Sequence, residues 1–127
     1  MNRWISVGAI SAALAVALGA FGAHGLKDHV DAAQLENWRT GVLYHALHAI
    51  ALVLYGLALE RRAAKPWPAW CFLVGSTVFS ATLYLMVLGA PRWLGAITPF
   101  GGTALIAGWI GFAVQAWPRG GADATRR

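Results

Sequence analysis

Four histidines, His24, His29, His45 and His48, are the side chains of this sequence best suited to chemistry near neutral pH. An imidazole gains and loses a proton there, and it also ligates metals. His45 and His48 are three residues apart, so on a helix they share one face. Tyr44 stands beside them, Ser80 and Tyr84 are four apart on a later segment, and Thr98 opens the last one. His24, Tyr44, His45, His48, Ser80, Tyr84 and Thr98 therefore make up the candidate polar cluster. Three chemistries suit it. The simplest is a neutral His48 in the protein interior, bonded to a tyrosine, a threonine or a backbone carbonyl. The second is a site that handles protons or a small ligand. The third is a metal or haem held by two or three imidazoles, but no nearby carboxylate or thiolate completes a recognisable ligand set. No metal ligand, cofactor or catalytic residue is assigned.

What the sequence lacks narrows the function further. It shows no serine–histidine–acid set and no phosphate-binding loop. The lone Cys71 cannot form an internal disulfide, no CxxC pair exists, and a small apolar filler is the expected role. The net charge of +5 raises nucleic-acid binding, yet no basic face with interleaved aromatics is present, so none is expected.

Composition points to the setting instead. Apolar residues make up 58% of the chain and charged ones 12%, about half the charged share of a soluble protein. Four apolar runs account for this: about 5–23, 41–60, 69–88 and 94–117. Each is long enough to cross a hydrocarbon core of roughly 30 Å. In lipid only helices satisfy their own backbone groups, apart from closed barrels, so an all-α four-helix membrane bundle is expected. Glu60 is the only acidic residue touching a span, and it lies at an edge beside Arg61. A proton-coupled exporter would need an embedded carboxylate, so that function is not expected.

Between the first two runs, Asp31 and Gln34 have the spacing of a capping box. No proline follows until well after Arg61, which predicts a second helix that starts outside the membrane. Val30, Leu35 and Trp38 are expected to rest on the bilayer surface there. Pro66 and Pro68 open the third run, Gly89 to Pro91 close it, and Pro118 ends the fourth. The tail 118–127 is expected to be disordered.

Four spans place the N-terminus, the middle loop and the tail on one side. That side carries Arg3, Arg61, Arg62, Lys65, Arg119, Arg126 and Arg127, against Lys27, Arg39 and Arg92 on the other. The excess predicts both termini in the cytoplasm and the polar cluster near the outer leaflet. Trp4, Trp67, Trp70 and Trp117 are expected at the inner interface, Trp38 and Trp93 at the outer. Small residues recur on single faces: Gly8, Ser11, Ala15 and Gly19 early in the chain, Gly101, Ala104, Gly108 and Gly111 late in it. Such faces let helices approach closely in lipid.

Read together, several blocks resemble a known family. They are Gly19-Ala20-Phe21-Gly22-Ala23-His24-Gly25, Trp38-Arg39-Thr40-Gly41 leading to Tyr44 and His48-Ala49, Val78-Phe79-Ser80 with Leu83-Tyr84, and Thr98-Pro99-Phe100-Gly101-Gly102 with Gly108-Trp109. The chain is similar, almost to Trp117, to the domain-of-unknown-function 423 family, also called the transmembrane protein 256 family. The resemblance implies a small four-helix bacterial inner-membrane protein with no established activity. Relatives often carry glutamine where His45 stands, which speaks against a two-histidine metal site, and glycine where Ala81 stands. The expected function is non-catalytic, an accessory or scaffold-like membrane component in a homo-oligomer or larger complex. The alternative is a ligand-binding or transport protein using the histidine cluster. The first run also has the outline of a signal peptide, with Arg3 before an apolar stretch and small residues near Ala23, but it is too long for a usual signal core. Mass spectrometry of the mature protein should therefore recover Arg3 and Trp4, and a chain beginning near Ala23 would overturn this.

Overall fold

The computed structural model describes residues 2–59 and 64–118, which form four long α-helices and no strand. They are α1 (Arg3–Ala20), α2 (Ala32–Leu59), α3 (Trp67–Val87) and α4 (Thr98–Ala116). All four are long and apolar enough to cross a membrane. Residues 119–127 of the expected disordered tail, and five of the ten basic residues behind the orientation argument, lie outside the described residues.

Each helix boundary has a local cause. Asn2 Oδ1 accepts from the Trp4 N–H at 3.1 Å and caps α1, while Asn2 Nδ2 donates to the Gly56 carbonyl of α2 at 3.1 Å. At the start of α2 the capping box is reciprocal: the Gln34 N–H donates to Asp31 Oδ1 at 2.7 Å, and the Asp31 N–H donates to Gln34 Oε1 at 3.1 Å. Two helical turns thus precede the second apolar run. Pro68 stands in the first turn of α3, where its missing N–H costs nothing. At the other end Gly89 takes φ 102°, which only glycine adopts freely. Its N–H donates to Met86 O at 3.3 Å, and the Ala90 N–H donates to Leu85 O at 2.8 Å, closing the helix as a Schellman turn. A 3₁₀ turn, Arg92–Ala96, occupies the start of the expected fourth span, so α4 itself begins at Thr98.

Past Ala20, α1 does not stop but widens into a π-helical segment, Phe21–Leu26. A π turn holds more residues than an α turn. Within it Gly22 and Leu26, four apart, are both buried and both pack against Trp38 of α2.

α1 packs on α2, α2 on α3 and α3 on α4, with a lesser contact between α2 and α4. The closest approaches fall on the small-residue faces. A methyl group added at Gly8 would sit 2.7 Å from the Ala49 carbonyl oxygen and 2.9 Å from the Val53 nitrogen. One added at Gly101 would sit 2.6 Å from the Phe79 nitrogen and 2.8 Å from the Gly75 carbonyl oxygen. Backbone touches backbone at both crossings, so the small residues set how near the helices come.

Two tryptophans depart from the expected interfacial belt. Trp38 is 2% exposed, wedged under Gly22 between Phe21 and Tyr84, and its Nε1 donates to the Leu18 carbonyl at 2.9 Å. It is a core residue at the end of the bundle, not a surface anchor, because Gly22 leaves room for the indole. Trp4 is also buried, packed edge-on against Trp70 with ring centroids 5.2 Å apart. Trp67, Trp70, Trp93 and Trp117 are exposed.

Adjacent glycines of α4 isolate the effect of close approach. A methyl at Gly102 would rest 3.7 Å from the Phe79 ring, an ordinary contact. Gly101→Ala is expected to lower stability by about 1–3 kcal/mol, whereas Gly102→Ala should leave it unchanged or raise it slightly. Thermal unfolding in one detergent measures both, and equal losses would remove the backbone crossing as the cause.

Candidate functional site: polar chains inside the bundle

The candidate residues do not meet at one point. Helix rotation distributes them over three separate hydrogen-bonded chains, except that Ser80 bonds by itself and His24 joins none. It lies on the π-helical segment with its side chain exposed, as is His29 beyond it.

The first chain runs through His48, which is 3% exposed and stands between α3 and α4. Its Nδ1 is 2.7 Å from the Tyr44 carbonyl oxygen one turn back. A carbonyl only accepts, so Nδ1 carries the proton. Trp109 Nε1 is 3.1 Å from His48 Nε2. Indole only donates, so Nε2 must be unprotonated. The two contacts together admit only the neutral Nδ1–H form. Phe72, Tyr44 and Trp109 surround the ring, with centroids 5.9, 6.0 and 6.1 Å away. Tyr44 is half-exposed, and its ring lines a groove of about 420 Å³ between α2 and α4 together with His48, Phe79 and Trp109.

The second chain crosses three helices. Ser11 Oγ of α1 is 3.1 Å from His45 Nε2, and Tyr84 OH of α3 is 3.3 Å from His45 Nδ1. This chain lines a second groove of about 420 Å³, between α1 and α3, separate from the first. Ala81 is part of its wall. The third chain joins α3 to the start of α4: Thr98 and Thr82 share a hydroxyl–hydroxyl bond of 2.7 Å, and Thr82 Oγ1 reaches the Val78 and Phe79 carbonyls, each at 2.9 Å. Ser80 acts alone, donating at 2.8 Å to the Gly41 carbonyl of α2.

His45 and His48 share a broad face of α2 but sit about 60° apart around it, enough for His45 to meet α1 and α3 and for His48 to meet α3 and α4. Both stand near the middle of α2, level with Ser11 and Phe72, and not in its first turns. Sequence reasoning did not single out Ser11, Thr82 or Trp109 as partners. Ser11 carried a weak signal as part of the small-residue face, and Trp109 as the one tryptophan deep within a span. Among the described residues, no three side chains of histidine, cysteine, aspartate or glutamate gather as metal ligands would. Every fully buried side-chain nitrogen or oxygen among them has a hydrogen-bond partner.

Comparison with known proteins agrees with this picture of a membrane bundle. A family model described as protein of unknown function (DUF423) matches residues 18–102. The chain belongs to that family. It is 40% identical over 119 residues to the UPF0382 membrane protein YwdK of Bacillus subtilis (strain 168), covering 91% of this chain and 97% of that one. It is 38% identical over 111 residues to a UPF0382 membrane protein of Staphylococcus epidermidis (strain ATCC 12228), covering 87% and 91%. A further UPF0382 membrane protein, SAB0533 of Staphylococcus aureus, matches at 38% over the same length. No solved structure matches the chain. This DUF423 chain is thus an all-α membrane protein of a family whose activity is unknown, and none of these relatives carries the name of an enzyme.

The His48 chain can be tested by substitution. Trp109→Phe removes one membrane hydrogen bond and should cost about 0.6 kcal/mol. His48→Ala leaves the indole N–H unpaired beside a void and should cost about 1–3 kcal/mol. His48→Gln, whose amide both donates and accepts, should restore most of the loss. Thermal unfolding in detergent ranks the three. The ring ¹⁵N shifts of His48 should report the Nδ1–H form, and an Nε2–H signal would contradict the chain.

Proposed function

We propose that this DUF423 protein is a non-catalytic, accessory or scaffold-like component of the bacterial inner membrane, with both termini in the cytoplasm. What carries this reading is how its interior polar groups are used. His48, Ser80, Thr82 and Tyr84 hold helices to one another or to backbone carbonyls. No nucleophile is poised beside a base and a third orienting group among the described residues, as covalent catalysis would need. Outward, α1 and α4 present broad apolar faces, such as Ile10 and Val16 on one and Phe100, Ile110 and Val114 on the other. Those faces suit lipid, a second copy of the chain or the helices of a larger complex. The seven-to-three excess of basic residues supports the cytoplasmic placement of the termini.

Two measurements test the proposal. A reporter fused after Arg127 should be active only in a cytoplasmic form, and one inserted near Gln34 only in a periplasmic form. Activity of both from one side would overturn the orientation. Extracted in mild detergent, the protein should migrate on a native gel as one assembly of fixed composition. Migration as a lone monomer in every mild detergent would overturn the accessory role.

A further inference from the structure

At the end of the bundle where α2 begins and α3 ends, opposite charges line one cavity without meeting. Asp31 and Arg92 share its wall with Gln34, Asn37, Met86 and Val87, around a volume of about 340 Å³. That size suits a small ligand. Among the described residues the one ion pair is Arg39 with Glu36, so the Asp31 carboxylate and the Arg92 guanidinium do not close on each other.

The polar groups of the wall are only partly used. Asp31 Oδ1 accepts the Gln34 N–H at 2.7 Å, which leaves Oδ2. Gln34 Oε1 is taken by the Asp31 N–H at 3.1 Å, which leaves its NH₂ group beside the Asn37 amide. Arg92 brings a planar fork of five N–H donors, a shape that fits a phosphate. A simple anion held by Arg92 would be repelled by Asp31, and a simple cation held by Asp31 would be repelled by Arg92. A zwitterion satisfies both.

Packing contacts, rather than position along α2, set the level of this cavity in the membrane. Val87 ends both α3 and the third span, and it packs in one buried cluster with Leu26 and Trp38. Apolar packing thus reaches the cavity floor, and the charged wall stands just above it, where a bilayer has its headgroups. Trp93, next to Arg92, is 65% exposed, as suits an indole at that interface. A phosphate and a cation joined on one lipid headgroup are what this level supplies. We propose that the cavity binds the headgroup of one aminophospholipid, its phosphate on Arg92 and its primary ammonium on Asp31. The site holds in either orientation of the chain, because a bilayer has a headgroup layer on both faces.

Competition between lipids for the intact protein in detergent tests this, with bound lipid identified by native mass spectrometry. Palmitoyl-oleoyl phosphatidylethanolamine is offered with an equal amount of the phosphatidylcholine of the same chains, whose quaternary ammonium has no hydrogen to donate. The first lipid bound should be the ethanolamine form about three- to fivefold more often, the ratio that an exposed charge pair gives. Asp31→Asn should erase this preference without loosening α2, since asparagine caps a helix as well as aspartate does. Arg92→Gln should weaken both lipids alike, because both carry the phosphate. Phosphatidylglycerol, a phosphate without an ammonium, should lose to phosphatidylethanolamine on the wild-type protein. Equal binding of the ethanolamine and choline lipids overturns the proposal, as does a preference that survives in Asp31→Asn or a win for phosphatidylglycerol. Soluble glycerophosphoethanolamine that displaces the lipid at equal concentration overturns the lipid as occupant.

Discussion

In a bilayer, helices gain nothing by hiding apolar side chains from one another, since lipid is as apolar as leucine. The fold therefore depends on backbones that come close enough for van der Waals contact along their length. Gly8 against Ala49 and Gly101 against Gly75 and Phe79 are where this happens. The remaining features follow from that proximity. Ser80 reaches the Gly41 carbonyl only because α2 and α3 are near, and Trp38 can bury its whole indole only because Gly22 yields the space. Polar side chains then find partners on the neighbouring helix before they meet lipid.

The same closeness explains why the histidines are ordered and why they are separate. His48 is fixed from two directions by groups with no choice of role, a carbonyl that accepts and an indole that donates. His45 is flanked by hydroxyls, which do either. One ring is locked in a single form, and the other is able to exchange its proton between nitrogens with compensating rotations of Ser11 and Tyr84. Two imidazoles three residues apart thus differ in freedom for reasons that lie wholly in their neighbours.

Much of the architecture was legible in the sequence because its signals are local. Four apolar runs, the Asp31–Gln34 box, Pro66 with Pro68, and Gly89 each act on residues within a turn or two, and apart from the start of the fourth run the helices follow them. The family resemblance, resting on blocks spread along the chain, was equally plain. Trp38 was misplaced because an aromatic beside a polar loop has the same local pattern whether it faces headgroups or the core. The site was less readable still. The partners of His45 and His48 lie 34, 39 and 61 residues away. Which face each helix turns to its neighbour depends on its rotation about its own axis. Hydropathy fixes that poorly when every side of the helix is apolar. The π-helical widening at Phe21–Leu26 had no signal at all beyond a glycine-rich stretch.

The order of packing along the chain bears on how the protein is made. Each helix after the first packs against the one that precedes it in the sequence. During synthesis, α2 enters a membrane that already holds α1, and the Gly8–Ala49 crossing forms as soon as both are present. α3 then adds to α2, and α4 to α3. No surface has to wait, uncovered, for a distant segment to be translated, and the entropy lost in each pairing is that of a short connection. A chain of this kind assembles in the order in which it leaves the ribosome.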